Sequence, residues 1–243
     1  MNLLLNTIIS LEEELSQQDF VQQVAALDLP IAGIELRYEY FPETKDERQA
    51  VFQEFLETGK HKGWQTFLSI PLPLFTTNGL HPDLELFLRE AEQLNVRSVK
   101  MNIGDLTGIS QVKTSELTAL LDSYQINLTI ENDQTEENGH YGPVKAALTA
   151  IEEQSLPVGY TFDLGNWLVM EEDPYQAFNA LKPYITVFHM KNLQDKQTTL
   201  LEEGALDWRK FLGLPVPYVL EYPMTVAQIP GEVAKMKEAE QRG

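Results

Sequence analysis

Eight short apolar runs, rich in β-branched residues, recur along the chain at nearly even intervals. They begin near residues 3, 32, 65, 97, 127, 159, 185 and 217, so successive starts lie 26 to 33 residues apart. A strand, its crossover helix and the return to the next strand take about 30 residues. Most of these runs begin with apolar side chains on both faces, as strands buried in a parallel sheet do. The pattern predicts eight consecutive βα units.

Amphipathic segments lie between the runs and supply the crossover helices that parallel strands need. Ser10 and Glu13 have the spacing of a capping box and predict a helix that continues to about Ala26. A further helix is predicted over 205–212. No break in composition divides the chain. We therefore predict a single-domain α/β fold over residues 1–243, a (β/α)8 TIM barrel, with an open doubly wound sheet as the alternative.

Composition excludes several classes of protein. The 37 acidic residues outnumber the 18 Lys and Arg, and the net charge of −19 argues against a nucleic-acid or anionic-membrane partner. The absence of Cys excludes a disulfide scaffold, a thiolate nucleophile and a Cys-type zinc site. The apolar stretch 3–9 is too short to span a membrane and lacks the basic flank of a signal peptide. We expect a cytoplasmic protein with a small-molecule partner. The sequence leaves open whether the chain forms a homo-oligomer.

Ionisable residues follow the apolar part of six runs. In a barrel, the active site lies at the carboxyl ends of the strands, and buried charges there are costly unless they are paired or bound to metal. Arg37, two residues after the first of these residues, is expected on the same face in an ion pair with it. The six candidates are Glu35, Lys100, Glu131, Asp163, His189 and Glu221.

Four of these candidates come from four consecutive predicted strands. Glu131, Asp163 and Glu221 would repel one another, and a divalent cation removes that conflict. Three carboxylates with the imidazole of His189 suit Mn²⁺, Mg²⁺, Co²⁺ or Zn²⁺ and leave positions for water or substrate. The alternative is that each is a salt-bridged or exposed residue that begins its own βα turn.

Five short segments at these strand ends resemble, in order and spacing, the xylose isomerase-like TIM-barrel superfamily. That superfamily includes ketose 3-epimerases, hydroxypyruvate isomerases, inosose dehydratases and endonuclease IV. The resemblance covers nearly the whole chain, and Gly204 to Trp208 is similar to the Gly-x-x-Asp-Trp element of the superfamily. It implies a metal held by Glu131, Asp163, His189 and Glu221, with Glu131 and Glu221 also exchanging a proton. The matching segments are 34–36, 130–132, 162–166, 189–192 and 220–221.

Two positions depart from the ketohexose 3-epimerase pattern. Asn166 stands where that branch usually has a substrate-contacting His, and Asp195 stands where it has an Arg. Both differences argue against that particular activity. The His-rich metal set of endonuclease IV is also missing, because the chain has only four His.

The candidate substrate-binding residues are polar or aromatic groups near the same strand ends. Lys100 and Lys191 would steady an oxyanion or bind a substrate carboxylate or phosphate, or would instead neutralise nearby carboxylates. Trp167 would form an apolar wall of a sugar site, or would instead cover the end of the barrel. Glu35 and Asn166 complete the predicted set.

These observations lead to one expected function and two alternatives. We expect a metal-dependent isomerase or epimerase of carbohydrate metabolism that moves a proton on a sugar or sugar phosphate through an enediolate. A dehydratase or lyase on the same barrel would begin with the same proton abstraction and then expel a hydroxyl. A catalytically silent barrel would only bind a sugar.

Overall fold

Eight parallel strands pair in chain order, and the eighth also pairs with the first, so the sheet closes into a barrel. The computed structural model describes residues 1–242. The predicted (β/α)8 TIM barrel is confirmed. Its strands are β1 (Leu3–Asn6), β2 (Gly33–Arg37), β3 (Gln65–Thr76), β4 (Val96–Gly104), β5 (Asn127–Glu131), β6 (Val158–Asp163), β7 (Ile185–Met190) and β8 (Tyr218–Leu220).

Eight α-helices lie along the described chain. Within residues 1–242, no helix combines the length and the apolar character needed to cross a membrane. The helices are α1 (Gln17–Ala26), α2 (Lys45–Lys62), α3 (Leu84–Gln93), α4 (Thr114–Tyr124), α5 (Tyr141–Glu153), α6 (Leu164–Val169), α7 (Pro174–Leu181) and α8 (Ile229–Arg242).

The first helix begins later than the predicted capping box. Thr7–Glu13 forms a 3-10 turn that ends at Glu14 with a left-handed backbone, and Ser16 caps α1 by accepting a hydrogen bond from the Asp19 amide. Ser10 is buried, so its side chain is not at a helix end that faces solvent. Burial of this turn against the barrel therefore overrode the local capping signal.

The connection from β7 to β8 contains no α-helix among the described residues. The helix predicted over 205–212 is reduced to a 3-10 turn, Trp208–Phe211, which follows a small hairpin of Asn192–Gln194 and Gln197–Thr199. Gly213 has a φ of +93° and is followed by Pro215, and neither residue continues a helix. This connection nevertheless returns the chain to the barrel in the correct register.

The inside of the barrel changes from apolar to polar along the strands. Leu4, Phe67, Val187 and Val219 pack together near the amino ends of β1, β3, β7 and β8. Alternate residues of a strand share a face, so the next inward side chains are two positions further along. These are Asn6, Ser69, His189 and Glu221, all buried. The carboxyl end of the barrel is therefore lined by polar groups.

Candidate metal centre

The four predicted metal ligands meet at the carboxyl end of the barrel. Glu131 ends β5, Asp163 ends β6, His189 lies in β7 and Glu221 directly follows β8. One ligand atom from each lies within 4.8 Å of the others, and all four side chains are buried. Asp163 and His189 are also register partners across neighbouring strands. Closure of the barrel thus brings together residues that are up to 90 positions apart in the sequence.

Two of the carboxylates are each held through one oxygen by a group beside the cluster. Lys100 donates to Oε2 of Glu131 at 2.5 Å. The backbone amide of Asn166 donates to Oδ1 of Asp163 at 2.9 Å, so that Asp163 caps the short helix α6. In each case the second carboxylate oxygen faces the centre of the cluster.

The other two ligands are held in the same manner. Asn6 and Arg37 donate to Oε1 of Glu221 at 3.2 and 3.3 Å. Nε2 of His189 lies 3.1 Å from Glu35, whose carboxylate also accepts a hydrogen bond from Asn6. Outer contacts of this kind orient metal ligands and set the tautomer of a ligating imidazole. The atoms that face the centre are then Nδ1 of His189 and Oε2 of Glu221, and the latter accepts a long hydrogen bond of 3.5 Å from Lys191.

The inward-facing atoms include polar atoms with no hydrogen-bond partner among residues 1–242. They are Oε1 of Glu131 and Nδ1 of His189, whereas Oδ2 of Asp163 makes no aligned hydrogen bond but lies 2.6 Å from the ammonium of Lys191. Nδ1 of His189 lies 3.0 Å from Oε1 of Glu131 and 3.1 Å from Oε2 of Glu221, but the ring N–H is not aligned with either oxygen. Buried polar atoms are rarely left unsatisfied, and oxygen with imidazole nitrogen is a common donor set for divalent metals. The residues therefore fit a divalent ion.

The protonation of the three carboxylates differs although all are buried. Burial acts to raise the pKa of each, because it disfavours the charged form. At Glu131 the ammonium of Lys100 outweighs burial, and at Glu221 the imidazole of His189 does so, and both pKa values are lowered. At Asp163 burial, reinforced by Glu221 and Glu131, prevails over the ammonium of Lys191, and the pKa is raised to about 7. Glu131 and Glu221 therefore stay charged at neutral pH.

Metal binding is expected to strengthen as the pH rises. Burial acts to lower the pKa of His189, but Glu35 and Glu221 outweigh it and raise the pKa well above its ordinary value. A metal needs the neutral ring, so at neutral pH it must displace a proton. The affinity for Mn²⁺, measured by titration calorimetry, should increase by about tenfold per pH unit between pH 7 and 8, and more steeply below pH 7, where Asp163 must also lose a proton.

His140 offers the control for this measurement. Its ring lies between Glu136 and Glu172 on the loop before α5, outside the metal cluster. The variant His140→Gln should keep the pH dependence of the unmodified protein. An Mn²⁺ affinity that does not change with pH would contradict the competition between the proton and the metal.

The predicted substrate-binding residues occupy two different places. Lys100, Asn166 and Lys191 line a cavity of about 290 Å³ beside the cluster. Glu35 lies behind His189, and Trp167 is fully buried against Phe162, so neither lines this cavity. The cavity is lined by Ile8, Arg37, Pro71, Lys100, Asn102, Glu131, Asp133, Gln134, Thr135, Asp163, Asn166, Lys191 and Glu221.

Two residues near the site have roles that differ from the sequence interpretation. Asn6 was not a candidate, although it ends β1 as Glu35 nearly ends β2, and it bridges Glu35 and Glu221. Its polar side chain at a strand end was the signal that could have identified it. The predicted pair of Arg37 with Glu35 is wrong: Arg37 binds Glu39 and Glu221 instead. The carboxylate of Glu35 is already engaged by Asn6 and the imidazole.

Several solved structures share this architecture. The probable 3-DHS dehydratase AsbF from Bacillus anthracis has a TM-score of 0.72 at 16% identity, with all of both chains covered. The IolI protein with a bound zinc atom has a TM-score of 0.67 at 14% identity, covering 99% of this chain and 96% of that one. D-psicose 3-epimerase from Clostridium cellulolyticum H10, with D-tagatose, has a TM-score of 0.68 at 12% identity, covering 96% and 89%.

The chain has the xylose isomerase-like TIM-barrel fold. No protein-family model matches its sequence, and no curated protein does either. At identities of 12 to 16% the similarity concerns the fold, because one fold can carry several chemistries. The xylose isomerase-like fold explains why strand ends from β5 to β8 converge, and the residues at those ends must carry any functional argument.

Proposed function

We propose that this chain is a cytoplasmic, metal-dependent sugar isomerase or epimerase that acts by proton transfer through an enediolate. The observation that carries the proposal is the set of buried ligand atoms of Glu131, Asp163, His189 and Glu221 that face one point, with those of Glu131 and His189 lacking a hydrogen-bond partner among residues 1–242. Structural neighbours described as a dehydratase, as an epimerase and as a zinc-containing protein support an enzyme of this type.

Each residue of the proposed site has a chemical task. Glu131, Asp163, His189 and Glu221 would hold the ion, which would polarise a carbonyl and its neighbouring hydroxyl and so acidify the adjacent C–H bond. Glu131 and Glu221 are the carboxylates whose pKa values are lowered, so each is ready to accept a proton. One would take the proton from carbon, and the other, after taking up a proton from water, would return a proton to the enediolate. Return to the same carbon yields an epimer, and return to its neighbour interconverts an aldose and a ketose.

Metal dependence is tested by thermal unfolding with and without Mn²⁺ or Zn²⁺ after treatment with EDTA. A ligand at one hundred times its dissociation constant stabilises a protein by about 2.7 kcal/mol, so the unmodified protein should melt at a higher temperature with metal. Asp163→Asn should lose most of this shift. Asp105→Asn is the matched control, because Asp105 also caps a turn after a strand but is exposed and outside the cluster.

Elemental analysis of the purified protein completes this test. We expect about one bound divalent ion per chain, because the cluster offers four ligand atoms around one point. A protein with no bound metal and no thermal shift would refute the proposed metal site. Sugar binding without metal would then identify a catalytically silent barrel.

A dehydratase is the second candidate function. The neighbour described as a probable 3-DHS dehydratase matches along the whole of both chains with a TM-score of 0.72, which gives this chemistry specific support. The same base would remove a proton from carbon, and the hydroxyl on the next carbon would leave as water. Mass spectrometry distinguishes the candidates, since a dehydratase product has lost one water and an isomerase product has the mass of its substrate.

A further inference from the structure

Lys191 reaches the metal-facing side of the cluster. Its ammonium nitrogen lies 2.6 Å from Oδ2 of Asp163 and 3.5 Å from Oε2 of Glu221. Both oxygens belong to the inward-facing set. The methylene stem lies against Gly165, where an added Cβ would stand 2.3 Å from Cγ of Lys191. The absence of a side chain at Gly165 therefore provides the space in which the Lys191 stem lies.

The other two cations of the cavity bind different oxygens. Lys100 donates to Oε2 of Glu131, while Oε1 of that residue is the partnerless atom. Arg37 donates to Oε1 of Glu221 and to Glu39. Both contacts can persist when a metal occupies the centre. Lys191 differs from Lys100 and Arg37. Among the described residues that line the cavity, it is the cation that contacts the inward-facing oxygens of the cluster.

The charges around the cavity point to the kind of ligand. Five carboxylates lie around the cavity and the cluster against three permanent cations, so before His189 is counted the group has two excess negative charges. A divalent ion would balance them. Displaced from Asp163 and Glu221, the ammonium of Lys191 would have no carboxylate of the cluster left to neutralise it. The charged residues are Glu35, Arg37, Lys100, Glu131, Asp133, Asp163, Lys191 and Glu221.

We propose that Lys191 occupies the metal-facing oxygens until an ion binds, and then turns into the cavity to bind the carboxylate of an acidic substrate. The substrate class would be a hydroxy or keto acid derived from a sugar, with the carboxylate close to the chelating oxygens. A carboxylate suits the single positive charge of the displaced Lys191 ammonium and the small cavity of about 290 Å³. This inference rests on the proposed metal site, and it adds to the proposed function that the substrate carries a negative charge.

The first test measures Mn²⁺ affinity by titration calorimetry at a fixed pH. Lys191→Met removes the internal competitor and should bind Mn²⁺ about fivefold more tightly or better, because a competing conformation weakens apparent affinity. Lys100→Met should bind no more tightly than the unmodified protein, since its partner oxygen faces away from the centre. Exposed Lys113, paired with Glu116, provides the surface control Lys113→Met, which should leave the affinity unchanged.

The second test compares two unreactive probes in excess Mn²⁺. D-gluconate and D-glucitol have the same six-carbon chain, but only D-gluconate has a carboxylate. Lys191→Met should weaken D-gluconate binding by about tenfold or more, the usual effect of losing a hydrogen bond to a charged group. Its D-glucitol affinity should stay within about twofold of the unmodified value. Lys191→Gln, a polar variant, should behave in the same way and guards against misfolding of the Met variant.

The outcomes separate this inference from the proposed function. If the unmodified protein binds no Mn²⁺, the metal site itself fails. Suppose instead that the unmodified protein binds Mn²⁺, but Lys191→Met binds it no more tightly, or Lys100→Met gains as much Mn²⁺ affinity as Lys191→Met. Lys191 is then not the displaced group, and the inference is overturned while the metal site stands. The assignment to a carboxylate would be overturned if Lys191→Met lost equal affinity for D-gluconate and D-glucitol. It would also be overturned if the protein bound D-glucitol 6-phosphate more tightly than D-gluconate and this preference required Lys191.

Discussion

Replacing Glu131 or Glu221 by Gln is expected to reduce proton exchange at the substrate carbon by about 10²- to 10⁴-fold. Gln has nearly the size of Glu but cannot accept a proton, so the change removes the base and keeps the shape. Both carboxylates are buried beside the cavity and stay charged at neutral pH, since their pKa values are lowered. Deuterium incorporation from solvent, followed by mass spectrometry on a substrate found by screening sugar acids and sugars, measures the effect.

The measurement needs controls for folding and for metal content. Glu137→Gln, at an exposed position on the loop after β5, should exchange deuterium at the unmodified rate. Each variant is measured at saturating Mn²⁺, with its metal content and unfolding temperature determined separately, because Glu131 also neutralises the buried Lys100. Full deuterium exchange in both Glu131→Gln and Glu221→Gln would refute their role as the acid and base pair.

Replacing Asn132 by Ala is expected to destabilise the fold by about 3 to 5 kcal/mol, the range for loss of a buried hydrogen-bond network. The Asn132 side chain is fully buried between two strands. It donates to the carbonyl of Asp163 at 2.9 Å and accepts from the Asp163 amide at 2.9 Å and from the hydroxyl of Tyr160 at 2.7 Å. Truncation to Ala would leave the carbonyl and the amide of Asp163 and the hydroxyl of Tyr160 buried, each without its hydrogen bond to Asn132.

Thermal and urea unfolding measure this loss. For a chain of this size the melting temperature should fall by roughly 6 to 20 °C. Asn127→Ala, at the exposed start of the strand that Asn132 directly follows, is the matched control and should change stability by no more than about 0.5 kcal/mol. A loss of less than about 1 kcal/mol for Asn132→Ala would show that the network is not a major support of the strand that presents Asp163.

Local patterns were sufficient to predict the barrel and the membership of the polar cluster. The alternation within a strand determines which side chains face inward, and the spacing of the strands determines that their carboxyl ends meet. Glu131, Asp163, His189 and Glu221 could therefore be grouped before any coordinates were known. Local signals failed where burial competes with them, as at Ser10 in the 3-10 turn before α1 and over 205–212 before β8.

The amino-acid sequence by itself determined the eight βα units and the kinds of ligand that gather at one end of the barrel. Only the tertiary structure decided which atom of each ligand faces the centre, that Asn6 bridges two carboxylates, and that Lys191 lies on two of the inward-facing oxygens. The physical reason is distance along the chain. Periodicity is a property of neighbouring residues, whereas hydrogen-bond partners at the site come from strands on different sides of a closed barrel.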